Sequence, residues 1–331
     1  MITFLKNIVK RLYPFNRYEE YIKWREVQLS ELRGEFDTVI KHKNELQEVI
    51  KNAGNPYAYL PLGHYYSPFP PIDEIRENED KIFGEPPRNL PAINLNEEKQ
   101  LSLLHELKDY YNSFPFKVEL EPGWRFCLGN PSYSYSDAVF LYLMIMRLKP
   151  KRIIEVGCGY SSCEILDINE KYFDNSIDCT FIDPFPELML SLLKPGDSER
   201  SKIIHSKLQE VDLSEFSGLE EKDILFIDST HVSKVYSDVN YTFFEILPSL
   251  KSGVYINFHD IFFPFEYPKV WIYERRAWSE SYLMRAFLQY NESFEIAMFN
   301  SMMERYYKEF FENNMPLCTQ GGGQSIWIRK C

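Results

Sequence analysis

From about residue 116 to the last residues, the sequence alternates short apolar runs with helical stretches. That grammar predicts an α/β domain around a mostly parallel sheet. Two further observations agree with it. Runs such as Arg152-Ile-Ile-Glu-Val156 and Asp223-Ile-Leu-Phe-Ile-Asp228 are too evenly apolar for a half-exposed strand and read as buried ones. Gly157-Cys158-Gly159 then sits where a strand should turn into a helix.

The elements follow in chain order. Residues 1–14 place Phe4, Leu5, Ile8, Val9 and Leu12 at helical spacing, with Lys6, Lys10 and Arg11 between them. Such a segment suits either an anionic membrane surface or docking on its own protein or a second subunit. Arg17 to Lys51 is charged and helical in pattern, and its imperfect heptads predict a long amphipathic helix or helical hairpin rather than a coiled coil. Gly54-Asn55-Pro56 is its stop signal. Residues 56–91 hold eight of the chain's 20 prolines, which excludes a long helix or a central strand there. Asn96 to Asn112 reads as a helix, with Leu101, Leu104, Leu107 and Tyr111 on one side. Next come an apolar helix (Asp137 to Leu148), a strand (152–156), a helix from Ser162, and strands at 178–182, 202–205 and 223–228. A helix from Lys234 to Leu247 and strands at 253–258, 294–299 and 325–329 complete the count at seven strands. The expected organisation is a helical region (1–55), a proline-rich and aromatic accessory segment with one helix (56–115), and an α/β domain (116–331).

Composition narrows the function. With 49 acidic and 37 basic residues the formal net charge is −12. Nucleic-acid affinity comes mainly from Lys and Arg, so nucleic acid is a poor candidate partner. No apolar run approaches the roughly 20 residues that cross a bilayer. The six cysteines show no C-x-x-C pair, and the N-terminus lacks the apolar core and cleavage site of a signal peptide. These features fit reduced thiols and a cytoplasmic protein, peripheral to the membrane if residues 1–53 bind one.

The glycine turn lets backbone approach a ligand closely. Asp183, ending the next strand, is placed to accept hydrogen bonds from ribose hydroxyls. Ser162 stands where a dinucleotide fingerprint wants Gly or Ala, which disfavours nicotinamide cofactors. Four segments arrive in order at strand ends: Glu155-Val-Gly-Cys-Gly-Tyr-Ser-Ser162, Phe181-Ile-Asp-Pro184, Asp223-Ile-Leu-Phe-Ile-Asp-Ser-Thr-His231 and Phe258-His-Asp-Ile261. Together they resemble the class I S-adenosylmethionine-dependent methyltransferases, most nearly the bacterial "methyltransferase domain 24" group. The resemblance implies a Rossmann-like sheet of seven strands with an antiparallel C-terminal strand, and S-adenosylmethionine as cofactor. It also implies that Glu155, Gly157 and Gly159, with Tyr160 and Ser161, frame the methionine and ribose. Asp183 would bind ribose, Ser206 to Gln209 would border the adenine, and Asn130 and Tyr135 would cover the methionine end. Asp228 would be a further cofactor-binding residue. The usual third glycine is Ser161, and the interval from the loop to Asp183 is long.

Methyl transfer to a hydroxyl needs an oriented nucleophile and a group that takes its proton. Asp228 and His231 after the fourth strand, and His259-Asp260 after the fifth, converge at one rim of the sheet by topology alone. A histidine suits the base's role, while the bland reading of such a pair is a loop anchor. Asp228, His259 and Asp260 also offer donors for a divalent metal, although a histidine in place of a carboxylate disfavours magnesium. Arg276, Trp278 and Glu280, in a segment dense with aromatics, alternate as a sugar-gripping loop would; a surface helix start is the alternative. His64 and Tyr65, beside Tyr66, form a second lid candidate. The favoured function is O-methylation of a glycan, sugar or related small-molecule hydroxyl. The alternatives are an iron-dependent oxygenase using His231, His259 and Asp260, and a non-catalytic cofactor-binding scaffold.

Overall fold

Seven short runs rich in β-branched and aromatic residues pair into one sheet; the central ones are apolar on both faces and must be covered twice, while those at 202–204 and 294–299 are its partly covered edges. A computed structural model describes residues 2–52, 60–133 and 135–331, and describes side-chain surroundings for 20–47, 60–133 and 135–331. The chain divides into two compact units, Met1–Arg76 and Glu77–Cys331. The first contains helix α1 (Ile2–Asn52). It is one continuous helix that includes Pro14, so of the two expected forms, a long helix or a helical hairpin, the structure has the long helix.

In the second unit, helices α2 (Glu97–Tyr111) and α3 (Ser136–Leu148) precede β1 (Arg152–Val156), α4 (Tyr160–Tyr172), β2 (Asp178–Ile182), β3 (Lys202–Ile204) and β4 (Ile224–Ile227). There follow a helical stretch built from Asp238–Tyr241, the π-turn Thr242–Ile246 and Leu247–Ser249, then β5 (Tyr255–Phe258). Helix α5 (Lys269–Tyr273), α6 (Glu280–Leu288), β6 (Phe294–Phe299), α7 (Asn300–Tyr306) and β7 (Ile326–Lys330) complete the unit. The strand order is β3-β2-β1-β4-β5-β7-β6. β1 pairs with β2 and β4 in parallel, Ile153 lying opposite both Cys179 and Ile224, and β7 alone runs against its neighbours. The order reverses between β1 and β4, so their carboxyl ends splay into a crevice, the usual ligand position in open α/β sheets.

Two apolar layers cover the sheet. Helix α3 is almost wholly apolar and buries Ala138 through Ile145 completely, against Leu104, Leu107, Phe226 and Trp327. The opposite layer gathers Ile154, Leu225, Phe243, Ile246, Phe258 and Ile328. Because Leu103, Leu104 and Leu107 of α2 belong to the first layer, that helix is part of the α/β unit. The division therefore falls at Arg76/Glu77, rather than at 55 and 115.

One buried ion network staples the α3/α4 side. Arg125, 4% exposed, donates from Nε and Nη2 to Asp197 and from Nη1 to Asp167, at 2.6–2.7 Å. Asp167 in turn accepts the backbone N–H of Arg125 and Phe126. The forked guanidinium satisfies two carboxylates at once, which a lysine's point charge does not do.

Candidate active site

The crevice between β1 and β4 is built by contact of two loop backbones. Gly157 has φ +85°, and a Cβ there would lie 1.6 Å from the Asp228 carbonyl oxygen. Its absent side chain thus lets the β1 loop pass the end of β4, an internal need rather than a ligand's. Gly159 is different: its φ of −170° is ordinary extended backbone, and a Cβ would meet nothing nearer than Leu188 at 3.8 Å. That open cradle at the N-terminus of α4 is where a ligand can lie against the backbone.

The other expected cofactor residues divide into supports and lining. Glu155 is fully buried beneath the loop and accepts from Ser161 Oγ, while its Oε2 finds no hydrogen-bond partner. Burial pushes its carboxyl up to about 8, against the pull of Ser161 and Ser162. Glu155 and Ser161 therefore shape the turn from below. Tyr160 opens α4 and is half-buried. Asp183 follows β2 and accepts from the N–H groups of Cys158 (2.8 Å) and Phe185 (2.6 Å), which ties the second strand end to the glycine turn. Its carboxylate keeps further lone pairs for a hydroxyl. Gln209 sits in the short turn after β3 and donates to the Tyr236 carbonyl, with Ser206 beside it. Asn130 spends its amide on its own loop, bonding Cys127, Ser132 and Tyr133, so its described role is that of a turn former. Tyr135 adopts φ 47° before α3 and lies against Gly321.

Beside the crevice, the ends of β4 and β5 bring the four expected catalytic side chains together. His231 Nε2 lies 3.3 Å from Asp228 and 3.4 Å from Asp260, and its Nδ1 lies 2.9 Å from Glu280. His259 Nδ1 lies 3.4 Å from Asp228 and 3.5 Å from Asp260, and its Nε2 lies 3.8 Å from Asp137. His231 and Asp260 both hold left-handed backbone, with φ 59° and 60°, a strain that persists only where surroundings enforce it. Burial pulls both imidazoles toward neutrality, but the carboxylates outweigh it. Asp228 and Glu280 hold His231 up at about 10, and Asp228 and Asp260 hold His259 well above the usual range. Asp228 is held low against its burial by the two histidines, whereas burial and the charge of Asp228 raise Asp260. The surrounding carboxylates thus favour the protonated form of His259, which weighs against it as the base, while burial and Asp228 favour a proton on Asp260.

The aromatic insertion reaches this cluster in part. Trp278 lies against the His231 ring, centroids 4.5 Å apart, and the His231 carbonyl accepts the N–H groups of Ser279 and Glu280. Glu280 is fully buried, so it holds His231 instead of gripping a sugar. Arg276 is sandwiched over Trp271 and Trp278 and pairs with Glu274. A cavity of about 610 Å³ opens alongside, its lining including Phe262, Trp271, Glu304, Arg305, Gly323 and Gln324. Burial pushes Glu304 up to about 8, against donation from Gly323 and Ser136. His64 and Tyr65 belong to the first unit, where they stack on each other and on Tyr66; Tyr65 is 79% exposed.

Sequence reading missed Asp137, Trp271 and Glu304. Asp137 bridges His259 to the Gln324 N–H, and its signal was present: it is the one charge opening an otherwise apolar helix. Glu304 carries no such mark, since only packing brings α7 beside α3.

A sheet with one reversed strand, a glycine cradle at its switch point and an acid–base cluster at the next strand ends define a Rossmann-like group-transfer enzyme. Residues 154–261 match the family described as "Methyltransferase domain" (Methyltransf_24). An uncharacterized protein of Archaeoglobus fulgidus is 34% identical over 171 residues, a match covering 50% of this chain and 76% of that one. Over residues 154–261 the chain belongs to this methyltransferase family. Among solved structures, the S-adenosylhomocysteine-bound methyltransferase PaMTH1 of Podospora anserina is 13% identical, with TM-score 0.40, covering 83% of this chain and 99% of its own. The O-methyltransferase TomG of Streptomyces achromogenes, solved with S-adenosylmethionine, is 14% identical, with TM-score 0.40 and coverage of 69% and 89%.

Proposed function

We propose that this methyltransferase uses S-adenosylmethionine to methylate a hydroxyl oxygen of a sugar, glycan or related small molecule. The carrying observation is the juxtaposition of the Gly159 cradle and Asp183 with the Asp228–His231–His259–Asp260 cluster across one switch point. The residues fit the cofactor: a Cβ at Gly159 would fill open space, and a carboxylate stands at the end of β2 for a ribose. When bound, the sulfonium supplies an activated methyl group. The chain's own task is to hold the acceptor oxygen in line and to take its proton. Asp260, raised by burial and by Asp228, is the proton acceptor of this reading. The protonated histidines keep the neighbouring carboxylates paired, and Glu280 and Trp278 fix the His231 ring. The adjacent cavity offers aromatic faces with a few polar groups, the mixture that sugar rings require.

The test is methyl transfer from radiolabelled S-adenosylmethionine to a panel of sugars, nucleotide sugars and phenols. Asp260→Asn is expected to lower turnover by about 10²–10⁴-fold with S-adenosylhomocysteine affinity retained. Cofactor binding without transfer to any acceptor supports the scaffold instead.

A metal-assisted version has one observation in its favour. Donor atoms of Asp228, His259 and Asp260 lie within 4.8 Å of one another, and the buried His259 Nδ1 makes no hydrogen bond to either carboxylate it faces. A divalent ion held there would displace the imidazole proton and lower the acceptor hydroxyl's pKa. Activity lost in chelator and restored by one divalent ion selects this version.

A further inference from the structure

Helix α1 spans 51 residues without a break, about 77 Å at 1.5 Å per residue. Every side chain from residue 20 to 47 is exposed. Helices in water gain most of their stability from burying a face, so a rod of this length carrying exposed Leu29, Leu32, Phe36, Val39 and Leu46 is incomplete by itself.

The spacing of those residues identifies what completes it. Ile22, Leu29 and Phe36 recur every seven positions, and Leu32, Val39 and Leu46 form a second seven-residue series three positions on. Two interleaved heptad series repeat every 3.5 residues on average, the period that lets two helices supercoil with their seams in register. Arg25 and Lys43 interrupt the two series, which is why the pattern reads as imperfect until the helix is seen to be single and exposed. A bilayer surface fits less well, because membrane-binding helices rely on cationic flanks. Residues 20–47, which carry the two apolar series, hold six acidic and five basic side chains, so the seam itself has no net attraction for anionic lipid; the basic residues Lys6, Lys10, Arg11 and Arg17 lie ahead of it.

We infer that α1 pairs with α1 of a second copy of this chain, forming a homodimeric coiled coil through these two series. An identical helix laid parallel and in register has the same period and length and places apolar residues against every apolar seam position, with Arg25 and Lys43 facing their own copies at the two breaks, near enough to the helix surface to turn out to water.

The test is the mass of the full chain by light scattering across a micromolar concentration series, beside a Leu32→Glu/Val39→Glu variant. Both positions are exposed in the protomer, so the variant leaves the α/β unit's melting temperature unchanged. The expected result is a wild-type particle of twice 39.4 kDa and a variant whose dimer dissociation constant rises by at least about 100-fold. A monomeric wild type overturns the proposal. A dimer that survives the double substitution does so as well, since the interface then lies elsewhere. Sedimentation with phosphatidylcholine/phosphatidylserine vesicles supplies the third arm. A monomer that cosediments with them, and loses that binding in the variant, assigns the seam to a membrane and also overturns the dimer.

Discussion

Gly157 and Gly159 lie two residues apart and are glycines for different reasons. A side chain at Gly157 collides with the Asp228 carbonyl and must also accept φ +85°. Gly157→Ala is therefore expected to cost about 3 kcal/mol or more of stability. A Cβ at Gly159 meets no protein atom closer than Leu188 at 3.8 Å, so the melting temperature of Gly159→Val is expected to stay near wild type. Its S-adenosylhomocysteine affinity, measured by calorimetry, falls by at least about 100-fold. A stable Gly159→Val protein with wild-type affinity removes the cradle from the cofactor site. Glu155 gives a pH signature with a definite sign. Its folded pKa is raised to about 8 from an ordinary 4.5, so between these values the folded state holds a proton that the unfolded chain has lost. Stability attributable to Glu155 is full below about pH 4.5 and declines as pH rises toward 8, by about 1.4 kcal/mol per unit. Denaturation of wild type and Glu155→Gln between pH 5 and 8 should show the two curves converging or crossing with that slope. Parallel curves would mean that the carboxyl is ionised in the folded protein.

At the scale of elements, the Arg125 network ties the segment before α3 to α4 and to the turn at Asp197. Arg125→Met removes the fork from two buried carboxylates but leaves Asp197 with Arg200 and the Lys194 N–H, and Asp167 with Lys194 and two backbone N–H groups, so the expected cost is about 1–3 kcal/mol, below that of a fully orphaned pair. Urea denaturation of Arg125→Met and Arg125→Lys is expected to rank wild type above Lys and Lys above Met. Equal midpoints for wild type and Lys would show that forked donation contributes nothing. The helices that cover the sheet were legible where their apolar faces were dense: α3 is nearly all apolar. The helix expected from Lys234 begins at Asp238, because Ser237 caps it by accepting the Asn240 N–H. Lys234, Val235 and Tyr236 lie ahead of that cap, and hydrophobic periodicity alone does not mark where it falls.

At the scale of the molecule, both apolar layers lie wholly within the second unit, from Leu90 to Ile328. Residues 77–331 expressed alone are expected to melt cooperatively and to bind S-adenosylhomocysteine as the full chain does. An aggregated or non-cooperative fragment would show that the first unit completes the fold. Among the described residues no helix is long and apolar enough to cross a membrane.

Strand positions, the glycine turn, and Asp228, His231, His259 and Asp260 at their strand ends were determined by the sequence itself. Buried strands announce themselves by unbroken apolar runs, and the ends of such runs locate the rim of the sheet. Roles within that rim were decided only by tertiary structure. Whether a glycine serves a ligand or a neighbouring carbonyl, as Gly159 and Gly157 do, depends on an atom seventy residues away. Glu280 turned from a sugar ligand into the holder of His231 because its burial arises from the packing of α6, which local spacing does not encode. The protonation of His259 is likewise collective, the outcome of burial set against Asp228 and Asp260 at 3.4 and 3.5 Å. Electrostatics of that kind depends on distances between elements, and those exist only once the sheet has closed.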